Sequence, residues 1–135
     1  MQLQQYHTIE DLRKIVLSKE KVSLSDIAKS AIEKCKTYLL NKVEEHGPPI
    51  YGVNTGFGSL CNTEISKDKL TDLQINFLRS HACGAGAYVP RDIVKLMLLL
   101  KAQSLSYGHS GVQLATVEKL LEFYNNDNLP VIYEL

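Results

Sequence analysis

An all-α fold follows from three observations on this sequence. Apolar residues recur at helical spacing through four or five stretches, and each stretch is fenced by capping or breaking residues. Strand-like composition is confined to the tail from Leu129 to Leu135. The first stretch runs from Thr8 to Ser18. Ile9, Leu12, Ile15 and Val16 fall on one side, Thr8 is placed to cap the start, and Glu10 and Asp11 occupy the first turn, where negative charge meets the positive end of the helix dipole. Ser25 is placed to cap a longer helix. Ile27, Ala28, Ala31, Ile32, Cys35, Leu39 and Val43 share a face there, with Lys29, Glu33, Lys36, Glu44 and Glu45 elsewhere, and Gly47-Pro48-Pro49 stops it. Residues 50–60 hold three of the eight glycines, at 52, 56 and 58, which predicts a structured loop whose backbone takes angles forbidden to side-chain-bearing residues. The helical period returns after Ser66 through Leu70, Leu73, Phe77 and Leu78, with Gly84 and Gly86 as its ending.

Pro90 suits the first turn of the next helix, which Gly108 ends. This segment carries Ile93, Val94, Leu96, Met97, Leu98, Leu99, Leu100, Ala102 and Leu105 on nearly every side. It is therefore expected to be surrounded by other helices, some from a partner or from further sequence. Ser110 is placed to cap a last amphipathic helix through Val112, Leu114, Val117, Leu120, Leu121 and Tyr124, which Asn125-Asn126-Asp127-Asn128 breaks before an extended tail. No period of 20 to 50 residues repeats. The expectation is one helical domain over residues 1–135, about the size that builds one modest core.

Charge and cysteine content narrow the function. Lys plus Arg and Asp plus Glu both number 15, so nothing overall attracts a phosphate backbone or anionic lipid, and neither nucleic acid nor a membrane is an expected partner. The longest apolar run, Ile93 to Leu100, is interrupted by Lys95, and the N-terminus has glutamines and acids where a signal peptide needs a basic patch and an apolar stretch. A cytoplasmic protein is expected. Cys35, Cys61 and Cys83 are odd in number and lack CxxC or histidine companions, which points away from a disulfide framework or a zinc site and toward free, buried thiols.

The loop Tyr51-Gly52-Val53-Asn54-Thr55-Gly56-Phe57-Gly58 has no following Lys-Ser/Thr and no preceding strand, so it is not a phosphate loop. Aromatic and amide residues between glycines suit a loop presenting a tyrosine hydroxyl and backbone amides to a small ligand; alternatively, the tyrosine only packs.

YGVNTGFG at 51–58, LQINFLRSHACGAG at 73–86, SLSYGHSGV at 104–112 and LPVIYEL at 129–135 follow one another as they do in histidine ammonia-lyases and the related aromatic amino acid lyases. On these motifs the whole chain resembles the N-terminal portion of that family. The resemblance implies an all-helical homotetramer with an N-terminal active-site domain, here carrying a glycine-rich loop at 50–60. It also implies conversion of L-histidine to urocanate and ammonia, and a methylidene-imidazolone prosthetic group made from the enzyme's own Ala-Ser-Gly.

By the same resemblance Tyr51 matches the family's catalytic tyrosine, an acid/base group near the substrate's β-carbon. A phenol ionises near pH ~10 in water, so a base at neutral pH needs positive charge or hydrogen bonds at its oxygen. His81 matches the histidine that binds the substrate's side chain in histidine and tyrosine ammonia-lyases, where plant phenylalanine lyases differ. A neutral imidazole accepts at one nitrogen and donates at the other, which suits an imidazole or phenol ring. Judged by spacing alone, His81 is a helix-end histidine. Asn54 and Gly58 match the same loop and would fix its shape, whereas His7, His46 and His109 match no family role. Ser110-Gly111 is preceded by His109 and is not the Ala-Ser-Gly electrophile. In the family that tripeptide follows shortly after a Val-Ile-Pro-Glu segment, represented here by Val131-Ile132-Tyr133-Glu134 with tyrosine in place of proline. The chain is thus expected to be a truncated portion that ends just short of the electrophile, forms no prosthetic group and is inactive alone. Two alternatives stand beside it: a tyrosine ammonia-lyase or aminomutase of the same family, and a short non-catalytic protein for binding or assembly.

Overall fold

Thr8 turns the chain into its first helix, α1 (Ile9–Ser18), through a reciprocal cap. Its hydroxyl accepts from the Asp11 N–H at 3.2 Å, while the Asp11 carboxylate accepts from the Thr8 N–H at 2.9 Å and from the Thr8 hydroxyl at 2.7 Å. Those bonds hold the Asp11 carboxyl below the usual carboxylate range. The structure is a computed structural model describing residues 1–3, 7–45 and 48–135, without the side chain of Lys67. Gln4 and Gln5, His46 and the predicted helix-breaker Gly47 lie outside the described residues. Ser25 caps α2 (Asp26–Glu44) as expected, its hydroxyl accepting from the Ala28 N–H at 3.2 Å. Three further helices follow among the described residues: α3 (Leu70–His81), α4 (Arg91–Ser106) and α5 (Leu114–Asn125).

The chain divides into two compact units, one of residues Met1–Leu39 with Gly86–Leu135 and one of Leu40–Ala85. The first has a hydrophobic core. Ile15 of α1, Ile32 of α2, Val94, Leu98, Leu99 and Ala102 of α4, and Val117, Leu121 and Tyr124 of α5 are all buried. Full burial of one such aliphatic side chain contributes about 1.5–3 kcal/mol before its entropy cost. Leu3, Val22 and Leu24 close the core from a short parallel ladder in which β1 (Gln2–Leu3) pairs with β2 (Ser23–Leu24). Asn125, at the end of α5, serves the adjacent backbone like another strand. Its Oδ1 accepts from the Val22 N–H and its Nδ2 donates to the Val22 carbonyl, both at 2.8 Å. Beyond α5 the tail pairs back, with the Val89 N–H on the Ile132 carbonyl at 2.8 Å and the Glu134 N–H on the Ala87 carbonyl at 3.0 Å.

Two helix starts differ from the sequence expectation. Ser110 caps nothing: Gly111 takes a φ of +67° and Gln113 is extended, so helical angles begin only at Leu114. Pro90 stands just before α4, extended at ψ 140°, with its carbonyl accepting from the Val94 N–H. Within this chain α4 buries one face only, leaving Ile93, Met97 and Leu100 between 41% and 47% exposed. Gly108, at φ +71°, ends α4 where the chain passes close to α2; a Cβ there would lie 2.7 Å from the Ala31 carbonyl carbon. The cysteines are free, as predicted, but Cys61 and Cys83 are exposed and Cys35 is only partly buried. Cys61 and Cys83 lie in the second unit, where the buried residues among those described are Thr55 and Gly56. No helix among the described residues is long and apolar enough to cross a membrane.

Candidate functional site

The loop and α3, both in the unit Leu40–Ala85, hold the residues singled out by the sequence. The loop is built from its own backbone. Asn54 closes its first turn: its Oδ1 accepts from the Ile50 N–H at 2.7 Å, and its own N–H reaches the Ile50 carbonyl at 3.2 Å. A Thr55–Glu64 antiparallel bridge then returns the chain, supported by the Ile65 N–H on the Asn54 carbonyl at 2.8 Å and the Gly56 N–H on the Thr63 carbonyl at 3.1 Å. Thr55, 1% exposed, accepts from the Gly52 N–H at 3.2 Å and donates to the Gly56 carbonyl at 2.9 Å, so its buried hydroxyl is satisfied in both senses. Gly56 is required by proximity: a Cβ there would meet the Leu60 Cβ at 2.6 Å and the Leu60 carbonyl oxygen at 2.9 Å. Gly58 is required by conformation, with φ +56° at the start of a 3₁₀ turn, Gly58–Leu60.

That turn aims the Gly58 N–H at the Tyr51 hydroxyl oxygen, 3.5 Å away. Tyr51 is 62% exposed, with its ring edge-on to Phe57 at 5.9 Å between centroids. Phe57 lies 4.6 Å from Phe77, and Phe77 stacks on His81 at 4.3 Å with 30° between planes. Tyr51 and His81 therefore terminate one row of four rings. Phe77 and His81 are one helical turn apart on α3, so 3.6-residue geometry alone places them together. His81 is also held at its ring nitrogen, with Nδ1 3.0 Å from the Phe77 carbonyl oxygen and 2.9 Å from the Ser80 hydroxyl. The row joins Tyr51 and His81, while Asn54 and Gly58 shape the loop beneath it. Phe57, Phe77, Ser80 and Thr55 had no assigned site role in the sequence reading. Phe77 could have been found from its spacing to His81, and Thr55 from its place beside Asn54 between glycines, where a hydroxyl commonly bonds nearby backbone.

The chain belongs to the aromatic amino acid lyase family, whose family model matches residues 7–135. Within it, the chain is 45% identical over 124 residues to the histidine ammonia-lyase of Deinococcus radiodurans, covering 92% of this chain and 24% of that protein. Among solved structures it is similar to tyrosine aminomutase from Streptomyces globisporus, at a TM-score of 0.90 and 26% identity over 100% of this chain and 26% of that one. It is also similar to histidine ammonia-lyase from Trypanosoma cruzi, at a TM-score of 0.78 and 31% identity over 92% of this chain and 24% of that one. The chain spans about a quarter of the length of the curated relatives it matches.

Proposed function

We propose that this chain is the N-terminal part, residues 1–135, of a histidine ammonia-lyase, which eliminates ammonia from L-histidine to give urocanate. The observation that carries this reading is the four-ring row, because it links the two side chains that the family resemblance assigns to proton transfer and ring recognition. Support for the substrate comes from curated histidine ammonia-lyases that match along nearly the whole chain.

In the proposed reaction the substrate's Cα–N bond breaks, a proton leaves Cβ, and a Cα=Cβ double bond forms. Tyr51 takes the β-proton at its phenolic oxygen, whose other contact is the Gly58 N–H. His81 receives the substrate ring, which fixes the distance between the β-carbon and Tyr51. Asn54 and Gly58 hold the loop in the shape that presents Tyr51. In a complete enzyme the family's methylidene-imidazolone would supply the electrophile for amine departure. The residues present do not fit that group: the chain contains no Ala-Ser-Gly, and in His109-Ser110-Gly111 the glycine packs in a left-handed conformation against Leu39. Residues 1–135 alone are accordingly proposed to be inactive, and the complete enzyme to be a cytoplasmic homotetramer.

The test is ultraviolet detection of urocanate. A full-length polypeptide carrying this segment should convert L-histidine, with Tyr51→Phe lowering kcat by about 10²- to 10⁴-fold. Residues 1–135 alone should release none. Turnover of L-tyrosine but not L-histidine would replace this reading with the tyrosine ammonia-lyase or aminomutase alternative, whose support is the aminomutase-like fold.

A further inference from the structure

We infer that Ser80 and the Phe77 carbonyl fix His81 as its Nδ1–H tautomer, leaving Nε2 as a hydrogen-bond acceptor for a ligand ring that carries an N–H or O–H donor. The ligand clause rests on the proposed role of His81 in ring recognition; the tautomer rests on geometry alone. A carbonyl oxygen can only accept, so the 3.0 Å approach of Nδ1 to the Phe77 oxygen is attractive only if Nδ1 carries a proton. The Ser80 hydroxyl agrees. Its proton goes to the same Phe77 carbonyl at 3.0 Å, which turns its lone pairs toward Nδ1 at 2.9 Å. The reverse arrangement, with the serine donating to a bare Nδ1, would set that nitrogen's lone pair against the Phe77 oxygen.

With the proton on Nδ1, a neutral ring has its remaining lone pair on Nε2, which makes no hydrogen bond among the described residues. Phe77 covers one ring face, and His81 is otherwise exposed. The free Nε2 edge thus selects by polarity. An azole N–H or a phenol O–H satisfies it, whereas a carboxylate, carbonyl or ether oxygen meets a lone pair. Ser80 acts through His81 and is a positioning residue.

The experiment is long-range proton–nitrogen correlation NMR on the uniformly ¹⁵N-labelled chain, above the ordinary imidazole titration range. Exposed His109 serves as the internal reference. His81 should show a protonated-type Nδ1 and an unprotonated-type Nε2, unlike His109. Ser80→Ala should shift both nitrogens toward the His109 values, and Ser80→Thr, which keeps the hydroxyl, should restore them. A wild-type His81 matching His109, or a proton on Nε2, would overturn the tautomer, and an unmoved spectrum in Ser80→Ala would overturn the positioning role of Ser80. Phenol and anisole then probe the acceptor, since they share a ring and differ in the donor. Phenol should perturb the His81 resonances with an affinity about two- to tenfold tighter, the range that one neutral hydrogen bond supplies. An equal response to both, absence of response included, would overturn the selection for a donor. None of these readouts needs turnover, so a full-length enzyme that makes no urocanate would sink the proposed reaction and leave the tautomer standing.

Discussion

Among the described residues, every buried apolar side chain larger than glycine lies in the unit of Met1–Leu39 and Gly86–Leu135, while Leu40–Ala85 buries only Thr55 and Gly56. The unit with the core carries none of the assigned site residues, and the unit without one carries all of them. In the first, shape is imposed by apolar packing among four helices and a ladder. In the second, it comes from short-range backbone bonds, two conformationally demanding glycines and a row of rings. α3 has no buried side chain, and Leu78 on it is 67% exposed. A segment lacking buried apolar contacts belongs to the low end of local stability, as binding segments commonly do.

The sharpest way to break this contrast is to delete apolar volume in each unit. Leu99→Ala, at a position with no exposure, should cost about 2–5 kcal/mol in urea unfolding followed by far-ultraviolet circular dichroism. Leu78→Ala should stay within about 0.5 kcal/mol. Equal losses would mean that the second unit has a core of its own. A smaller effect should follow from Gly56→Ala, whose Cβ would be driven into Leu60 at a local cost of about 1–3 kcal/mol. Hydrogen exchange should accelerate at the amides of 50–65 and remain unchanged in α4 and α5; acceleration in those helices would show that the loop supports the core.

The smallest effect concerns acid. Asp127 sits at φ +56° after α5 and bonds the Lys95 ammonium at 3.2 Å and the Arg91 guanidinium at 2.9 Å, and these two cations hold its carboxyl below the usual range. A depressed carboxylate contributes stability that is fully present above the ordinary value of 3.8 and is lost as the pH falls through its lower folded value. Asp127→Asn should therefore lower Tm modestly at neutral pH, with the difference from wild type vanishing in strong acid. A difference that grew in acid would reverse that sign and assign the effect to something other than the ion pairs.

Helix starts with a side-chain cap were legible because the signal is local: Thr8 and Ser25 each bond an N–H three residues on, and the sequence shows both spacings. Ser110 carried the same local signal and failed, because whether a serine caps depends on the backbone after it, and Gly111 bends away into the left-handed region. The β1–β2 ladder was invisible because two residues are too few to show alternation. Cys61 and Cys83 were misplaced because burial was inferred from residue type, and among the described residues their unit buries only Thr55 and Gly56. In the site, the Phe77–His81 stack could be inferred from helical spacing. The approach of Phe57 to Tyr51 and Phe77 could not, since it depends on loop torsions at Gly52 and Gly58 that carry no period.

The clasp between Asn125 and Val22 spans 103 residues of sequence. Its consequence lies in the order of events during synthesis. α1 and α2 emerge early with Ile15 and Ile32 ready for burial, but most of their packing partners are on α4 and α5, and Val22 waits for an amide near the end of the chain. A ribosome must therefore release the entire second unit before the first can close. The loop-closure entropy of that intervening segment grows only slowly with its length, so the delay is a matter of time and exposure more than of final stability. Until α5 appears, the early helices are a nascent chain with an uncovered apolar face, the kind of transient exposure that favours aggregation.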